Sequence, residues 1–184
     1  GLESQILGED QIVSQIKESY ARAVERGTAQ TTLGDLFQTA LHTAKHIRSE
    51  THLASGKLSV ASIAAETVRN HLPHLSGRAV LAIGSGQTMS LLVDHLPELA
   101  DASWTVFCRT PENARGLMEK IDATVHPLEK LGEHLANADI LLCAMDTSAP
   151  ILTESMIRQA QRQRGYSPML IVDISVPRLV ESAV

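Results

Sequence analysis

The chain has 184 residues, a net charge of −5 and a hydrophobic fraction of 43%. That is apolar material for one large domain or two small ones, and too little positive charge for non-specific nucleic-acid binding by mass charge. Aromatic residues are only 3% of the chain, which argues against a stacking platform for single strands. No apolar run reaches the roughly 18 residues of a membrane helix. The two cysteines, Cys108 and Cys143, make no disulfide framework and no C-x-x-C, so the cytoplasm is the expected compartment.

Residues 1 to about 72 read helical. From Gln11, the apolar Ile12, Ile16, Tyr20, Ala23 and Val24 recur at spacings of three and four, and Gly27 marks a stop. Leu33, Leu36, Phe37, Ala40, Leu41, Ala44 and Ile47 lay out a second helix with one apolar face. Thr51 to Lys57 contains Ser55-Gly56 and reads as a loop. A third helix, Ser59 to Leu72, turns Val60, Ile63, Ala64, Thr67 and Val68 inward. Pro73 and Ser76-Gly77 punctuate its end.

From Arg78 the period changes. Apolar runs at Ala79–Ile83, Trp104–Phe107, Thr124–His126, Ile140–Ala144 and Met169–Ile174 predict strands. Helical stretches at Thr88–Leu96, Pro111–Ile121, Leu128–Ala136 and Thr153–Arg164 lie between them. Such alternation predicts an α/β domain, a doubly wound parallel sheet covered on both faces. The expected division is a helical part over 1–74 and a Rossmann-type nucleotide domain over 75–184.

The first strand runs into Gly84-Ser85-Gly86. Gly84 permits a tight turn, Gly86 admits a phosphate against the backbone, and the next helix offers free N–H groups. Gln87 and Thr88 are candidate caps of that helix. Met89 stands where the common G-x-G-x-x-G fingerprint has its third glycine, a packing position. Alone, the turn fits a purely structural role equally well. The end of the second strand adds weight. There, where NAD enzymes place an acid, the chain has Arg109-Thr110, and a guanidinium favours a 2′-phosphate. A solvated surface arginine is the competing reading.

Other constellations carry less. His42 and His46 sit four apart on a helix, yet lack the H-E-x-x-H pattern and a third ligand, so no metal is expected. Arg158, Arg162 and Arg164 form a basic cluster that suits either nucleic-acid phosphates or a helix end. The segment Asp173 to Arg178, DISVPR, should line the cleft at the carboxyl edge of the sheet, with a simple turn at Pro177 as the competing reading.

The segments GLESQILGEDQIVSQIKESYARA, FQTALHTAKHIRSETHLASGKLSVASIAAE, LSGRAVLAIGSGQTM, FCRTPENA, ADILLCAMDTSAPIL and MLIVDISVPR, in that order, resemble the glutamyl-tRNA reductase family over essentially the whole chain. The resemblance implies NADPH-dependent reduction of glutamyl-tRNA to glutamate-1-semialdehyde in tetrapyrrole synthesis. It implies that Ser4, Glu9, Asp10, Gln11 and Gln15 hold the glutamyl group. Asp10 stands where the family usually has Pro. It assigns the cofactor to Gly84, Ser85, Gly86, Gln87, Thr88, Met89, Arg109 and Thr110, and its pattern tolerates Met89. Two positions depart from it: Cys108 replaces a usual Asn, and Cys143-Ala144-Met145 a usual Ser-Ser-Thr.

The family's nucleophilic cysteine and assisting histidine precede the segment that matches GLESQILGED, so no catalytic residue is assigned here and the 184-residue chain is expected to be inactive alone. Both cysteines of the chain read as small buried residues. The full-length parent is expected to be a homodimer with glutamyl-tRNA as partner and no membrane association. The alternatives are a non-catalytic nucleotide-binding or interaction module, and a dehydrogenase like that of shikimate, which the lack of a Lys-Asp pair disfavours.

Overall fold

A computed structural model describes residues 10–51 and 59–184. The chain divides into two compact units, residues 1–60 and 61–184.

The first unit carries α1 (Asp10–Glu25) and α2 (Thr31–Glu50). Gly27, at φ +67°, turns the chain out of α1, a conformation that costs glycine least. The helices meet through Tyr20 and Phe37, whose rings stack at 5.3 Å. A Cβ at Gly34 would stand 3.3 Å from the Tyr20 hydroxyl, so the small residue lets the ring in. Several apolar side chains of the pair stay open to solvent, Leu36 at 62% and Val24 at 50%. The loop expected over Thr51–Lys57 lies, beyond Thr51, outside the described residues.

The second unit begins with α3 (Val60–His71). Ala61, Ala64, Ala65 and Val68 recur on one face and are buried. Their small size brings the helix close to the sheet. Arg69 adds a forked pair to Glu98, at 2.7 and 3.1 Å. The packing boundary therefore falls before α3, whereas the punctuation at Pro73 to Gly77 suggested a boundary after it.

Five strands follow: β1 (Ala79–Ile83), β2 (Ser103–Cys108), β3 (Ala123–Pro127), β4 (Ile140–Cys143) and β5 (Leu170–Asp173). All pair in parallel, in the order β3-β2-β1-β4-β5. This is the doubly wound sheet that the alternation predicts. β1 and β4, inside the sheet, are buried on both faces, which is why they read as unbroken apolar runs. Val80, Ala82, Val106 and Leu142 face one layer with α3 and α4 (Gln87–Asp94). Leu81, Ile83, Phe107 and Leu141 face the other, with Leu131 of α6 (Leu131–His134) and Ile157 of α7 (Glu154–Gln163). Between β2 and β3, α5 (Arg115–Met118) is a single turn after a 3-10 segment, and α6 is flanked by two 3-10 segments. Both are shorter than the helices expected over Pro111–Ile121 and Leu128–Ala136.

Candidate functional site

The carboxyl ends of β1, β2 and β4 open onto a cleft of about 710 Å³. Gly84, Ser85 and Gly86 line it from β1, Cys108 to Thr110 and Asn113 from β2, and Ala144 to Asp146 from β4. The structure thus brings the glycine turn and Arg109-Thr110 into one place. The β1–β4 switch of direction creates the crevice, as the topology of an open parallel sheet requires.

The two glycines have separable reasons. Gly84 sits at φ +104°, and a Cβ there would overlap the Ala144 carbonyl. Its N–H donates to the Phe107 carbonyl oxygen at 2.8 Å, while the Ala144 N–H donates to Ile83 at 2.9 Å. The turn is therefore locked between its two neighbours. Gly86 has an ordinary φ of −78°, and nothing lies within 4 Å of a Cβ built on it. Its missing side chain leaves open space where a ligand's phosphates would approach.

Gly86 is the N-cap of α4, and no side chain caps the helix. Gln87 and Thr88 therefore do not cap the helix start as expected. The first N–H groups of α4 remain available to an anion. Met89 is fully buried in the α4 layer of the core and lines no part of the cleft. Its side chain packs the helix on the sheet, the task that the third glycine of the common fingerprint serves by being small. Arg109 is exposed at the mouth and takes no partner among the described residues. These features fit a dinucleotide: room at Gly86 and uncapped N–H groups for phosphates, with an exposed guanidinium at the mouth.

Neither thiol is a nucleophile in waiting. Cys108 is 4% exposed, and its Sγ–H points to the Thr110 carbonyl at 3.5 Å. Cys143 is fully buried. Burial, and secondarily the nearby Asp173 carboxylate, push its thiol well above the ordinary range. Asp173 and Cys143 pair in register at the carboxyl edge but sit behind the cleft wall rather than in it.

Of the expected glutamyl-binding residues, Ser4 and Glu9 lie outside the described residues, and Asp10 opens α1. Gln11 and Gln15 lie on α1 in the first unit. His42 lines a groove between α1 and α2 with Lys17, Lys45 and Arg48, and no cluster that could hold a metal occurs among the described residues. The basic cluster on α7 is largely spoken for: Arg158 pairs with Glu154, and Arg164 donates to the carbonyls of Ala138, Ser167 and Pro168. Asn113 and Asp146 line the cleft without having been singled out. Their position just past a strand end was the available signal.

The class is set first by the second unit. Residues 66–184 match the family model described as Shikimate / quinate 5-dehydrogenase, which places this unit in that family of nucleotide-binding α/β domains. Residues 1–51 match the model of the Glutamyl-tRNAGlu reductase N-terminal domain. The whole chain is 40% identical to glutamyl-tRNA reductases of Shewanella sp. (strain W3-18-1) and Shewanella amazonensis, and it spans 44% of each. The chain belongs to the glutamyl-tRNA reductase family. A solved glutamyl-tRNA reductase from Methanopyrus kandleri superposes over 100% of the chain and 46% of its own, with a TM-score of 0.59 and 33% identity. The nucleotide binding domain from Thermoplasma volcanium shares the fold over 68% of the chain and 82% of its own, with a TM-score of 0.51 and 23% identity. The chain therefore spans less than half the length of the curated relatives it matches. No described helix is long and apolar enough to cross a membrane.

Proposed function

We propose that the second unit binds NADPH in the cleft between Gly84 and Asp146 and serves the reduction of glutamyl-tRNA to glutamate-1-semialdehyde, an early step of tetrapyrrole synthesis. The observation that carries this reading is one cleft lined by both the open glycine turn and a free Arg109. Backbone N–H groups after Gly86 take the pyrophosphate, and Arg109 with Thr110 takes the 2′-phosphate through charge-assisted bonds. The bound dihydronicotinamide supplies the hydride. Family membership and the match of residues 1–51 support a glutamyl substrate. Ser4, Glu9, Asp10, Gln11 and Gln15 hold its glutamyl group, with a carboxylate for the α-amino nitrogen. Both thiols of the chain are buried, so its contribution is cofactor and substrate binding rather than nucleophilic attack. The whole protein acts on glutamyl-tRNA as a cytoplasmic homodimer.

Calorimetric titration of the chain with NADPH and NADH tests the cofactor. NADPH is expected to bind more tightly; equal affinities, or tighter NADH, defeat the assignment.

A further inference from the structure

One carboxylate outside the cleft ties down one of its walls. Asp173 ends β5. Its Oδ1 accepts from the Ser175 N–H at 3.0 Å, and its Oδ2 accepts from the N–H groups of Leu179 at 2.7 Å and Val180 at 3.0 Å. Main-chain donors from both ends of residues 175–180 converge on this side chain and close the segment into a ring. Bonds to an ionised carboxylate are stronger than neutral ones, so the ring is held firmly.

The ring grips both ends of the segment that follows β4. At its start, the Met145 N–H donates to the Ser175 Oγ at 3.3 Å. At its far end, the Ile151 and Leu152 N–H groups donate to the Leu179 carbonyl at 2.8 and 3.1 Å. The Glu181 N–H then donates to Leu152 at 3.0 Å, and the Glu181 carboxylate accepts from the Glu154 N–H at 2.8 Å. The cleft wall, Ala144 to Asp146, starts this segment, and Ala144 abuts Gly84.

We propose that Asp173, acting through Ser175, is a positioning residue that holds the Ala144–Asp146 wall against the glycine turn and thereby sets how tightly the nicotinamide half of the cofactor is held. The proposal rests on the NADPH reading above. In a doubly wound sheet the two halves of a dinucleotide lie on opposite sides of the switch point. Arg109 serves the β2 side, and the braced wall serves the β4 side. Loosening the brace therefore harms the whole dinucleotide more than an adenosine fragment.

The test uses the 184-residue chain and its Asp173→Asn, Ser175→Ala and Ser175→Thr variants. Each is titrated with NADPH and with adenosine 2′,5′-bisphosphate, and amide hydrogen exchange of residues 144–153 is followed by mass spectrometry. Asp173→Asn is expected to weaken NADPH about tenfold and the bisphosphate by less than about twofold. Ser175→Ala should act in the same direction with a smaller effect, and Ser175→Thr should restore binding. Exchange over 144–153 should accelerate in Asp173→Asn. Equal weakening of both ligands overturns the proposal, as does unchanged exchange. A wild-type chain that binds no NADPH defeats the cofactor reading instead; the exchange measurement then still supports the brace if it accelerates and overturns it if it does not.

Discussion

The carbonyl carbon of Ala144 lies 2.8 Å from the point where a Cβ on Gly84 would stand. The end of β4 thus presses directly on the turn that leaves β1, while Gly86, two residues on, faces open space. The glycines are spaced like one motif but answer to different forces, the first to protein backbone and the second to a ligand.

Substitution separates these roles. Gly84→Ala should lower the melting temperature by roughly 5–15 °C, since a strained left-handed backbone alone costs about 1–3 kcal/mol. Gly86→Ala should leave it within about 2 °C, because neither its φ nor its surroundings resist a methyl group. The same Gly86→Ala should weaken NADPH. A scan and a titration on each variant decide it, and equal loss of stability would refute the division.

Arg109 should account for cofactor choice. A hydrogen bond to a charged group contributes about 1.5–3 kcal/mol, so Arg109→Ala should cut the NADPH-over-NADH preference roughly tenfold to a hundredfold. Arg109→Lys should keep part of it, because a point charge remains but the fork is lost. Calorimetry with both cofactors at fixed salt is the measurement. An unchanged ratio in Arg109→Ala would return this residue to the solvated surface.

Met89 belongs to the core, and its variants should behave accordingly. Met89→Ala should destabilise the fold by about 2–5 kcal/mol, and Met89→Leu by less than about 1.5 kcal/mol. Urea unfolding reads both. NADPH affinity should survive Met89→Leu unchanged; a stable Met89→Leu protein that has lost the cofactor would put the side chain back in the site.

Cys143 couples stability to alkaline pH. Its thiol in the folded protein is held above the ordinary value of 9.0 by burial first and by Asp173 second. Unfolding frees the thiol to ionise, so the unfolded state binds fewer protons once the pH passes that ordinary value. Stability is then full below about pH 8 and falls as pH rises further, by up to about 1.4 kcal/mol per unit from this group. Cys143→Ala should flatten the slope between pH 9 and 10 by about 1 kcal/mol per unit, since the unfolded thiol goes from half to mostly ionised over that interval. In the native state at pH 8, Cys143 should resist a thiol reagent that labels it fully in denaturant.

Much of the fold is legible from the chain. β1 and β4 are buried on both faces, so Val80 to Ile83 and Ile140 to Cys143 appear as continuous apolar runs. The third strand has the least apolar run for a physical reason: β3 lies at the sheet edge, half-exposed, and carries His126 and Pro127. The short α5 and α6 were not legible. Leu117 and Leu131 have helical spacing with their neighbours, but Gly116 and Gly132 remove propensity at the centre of each segment. Within the cleft, Gly84, Gly86 and Arg109 stand out because their chemistry is unusual at a strand end. The Met89 side chain faces the core, a direction that sequence adjacency to the turn does not reveal. The role of Ser175 depends on a contact thirty residues away in the chain, which no local pattern encodes.

The packing of α3 has a practical corollary for anyone cutting the gene. A shortened coding region that opens at Leu75, where Pro73 and Gly77 invite the scissors, would discard Ala61, Ala64, Ala65 and Val68 and leave a wet apolar trough along the sheet. One that opens at Ser59 carries its own lid over that trough. The shorter product should precipitate and the longer one should remain in solution, although both contain every residue of the cleft.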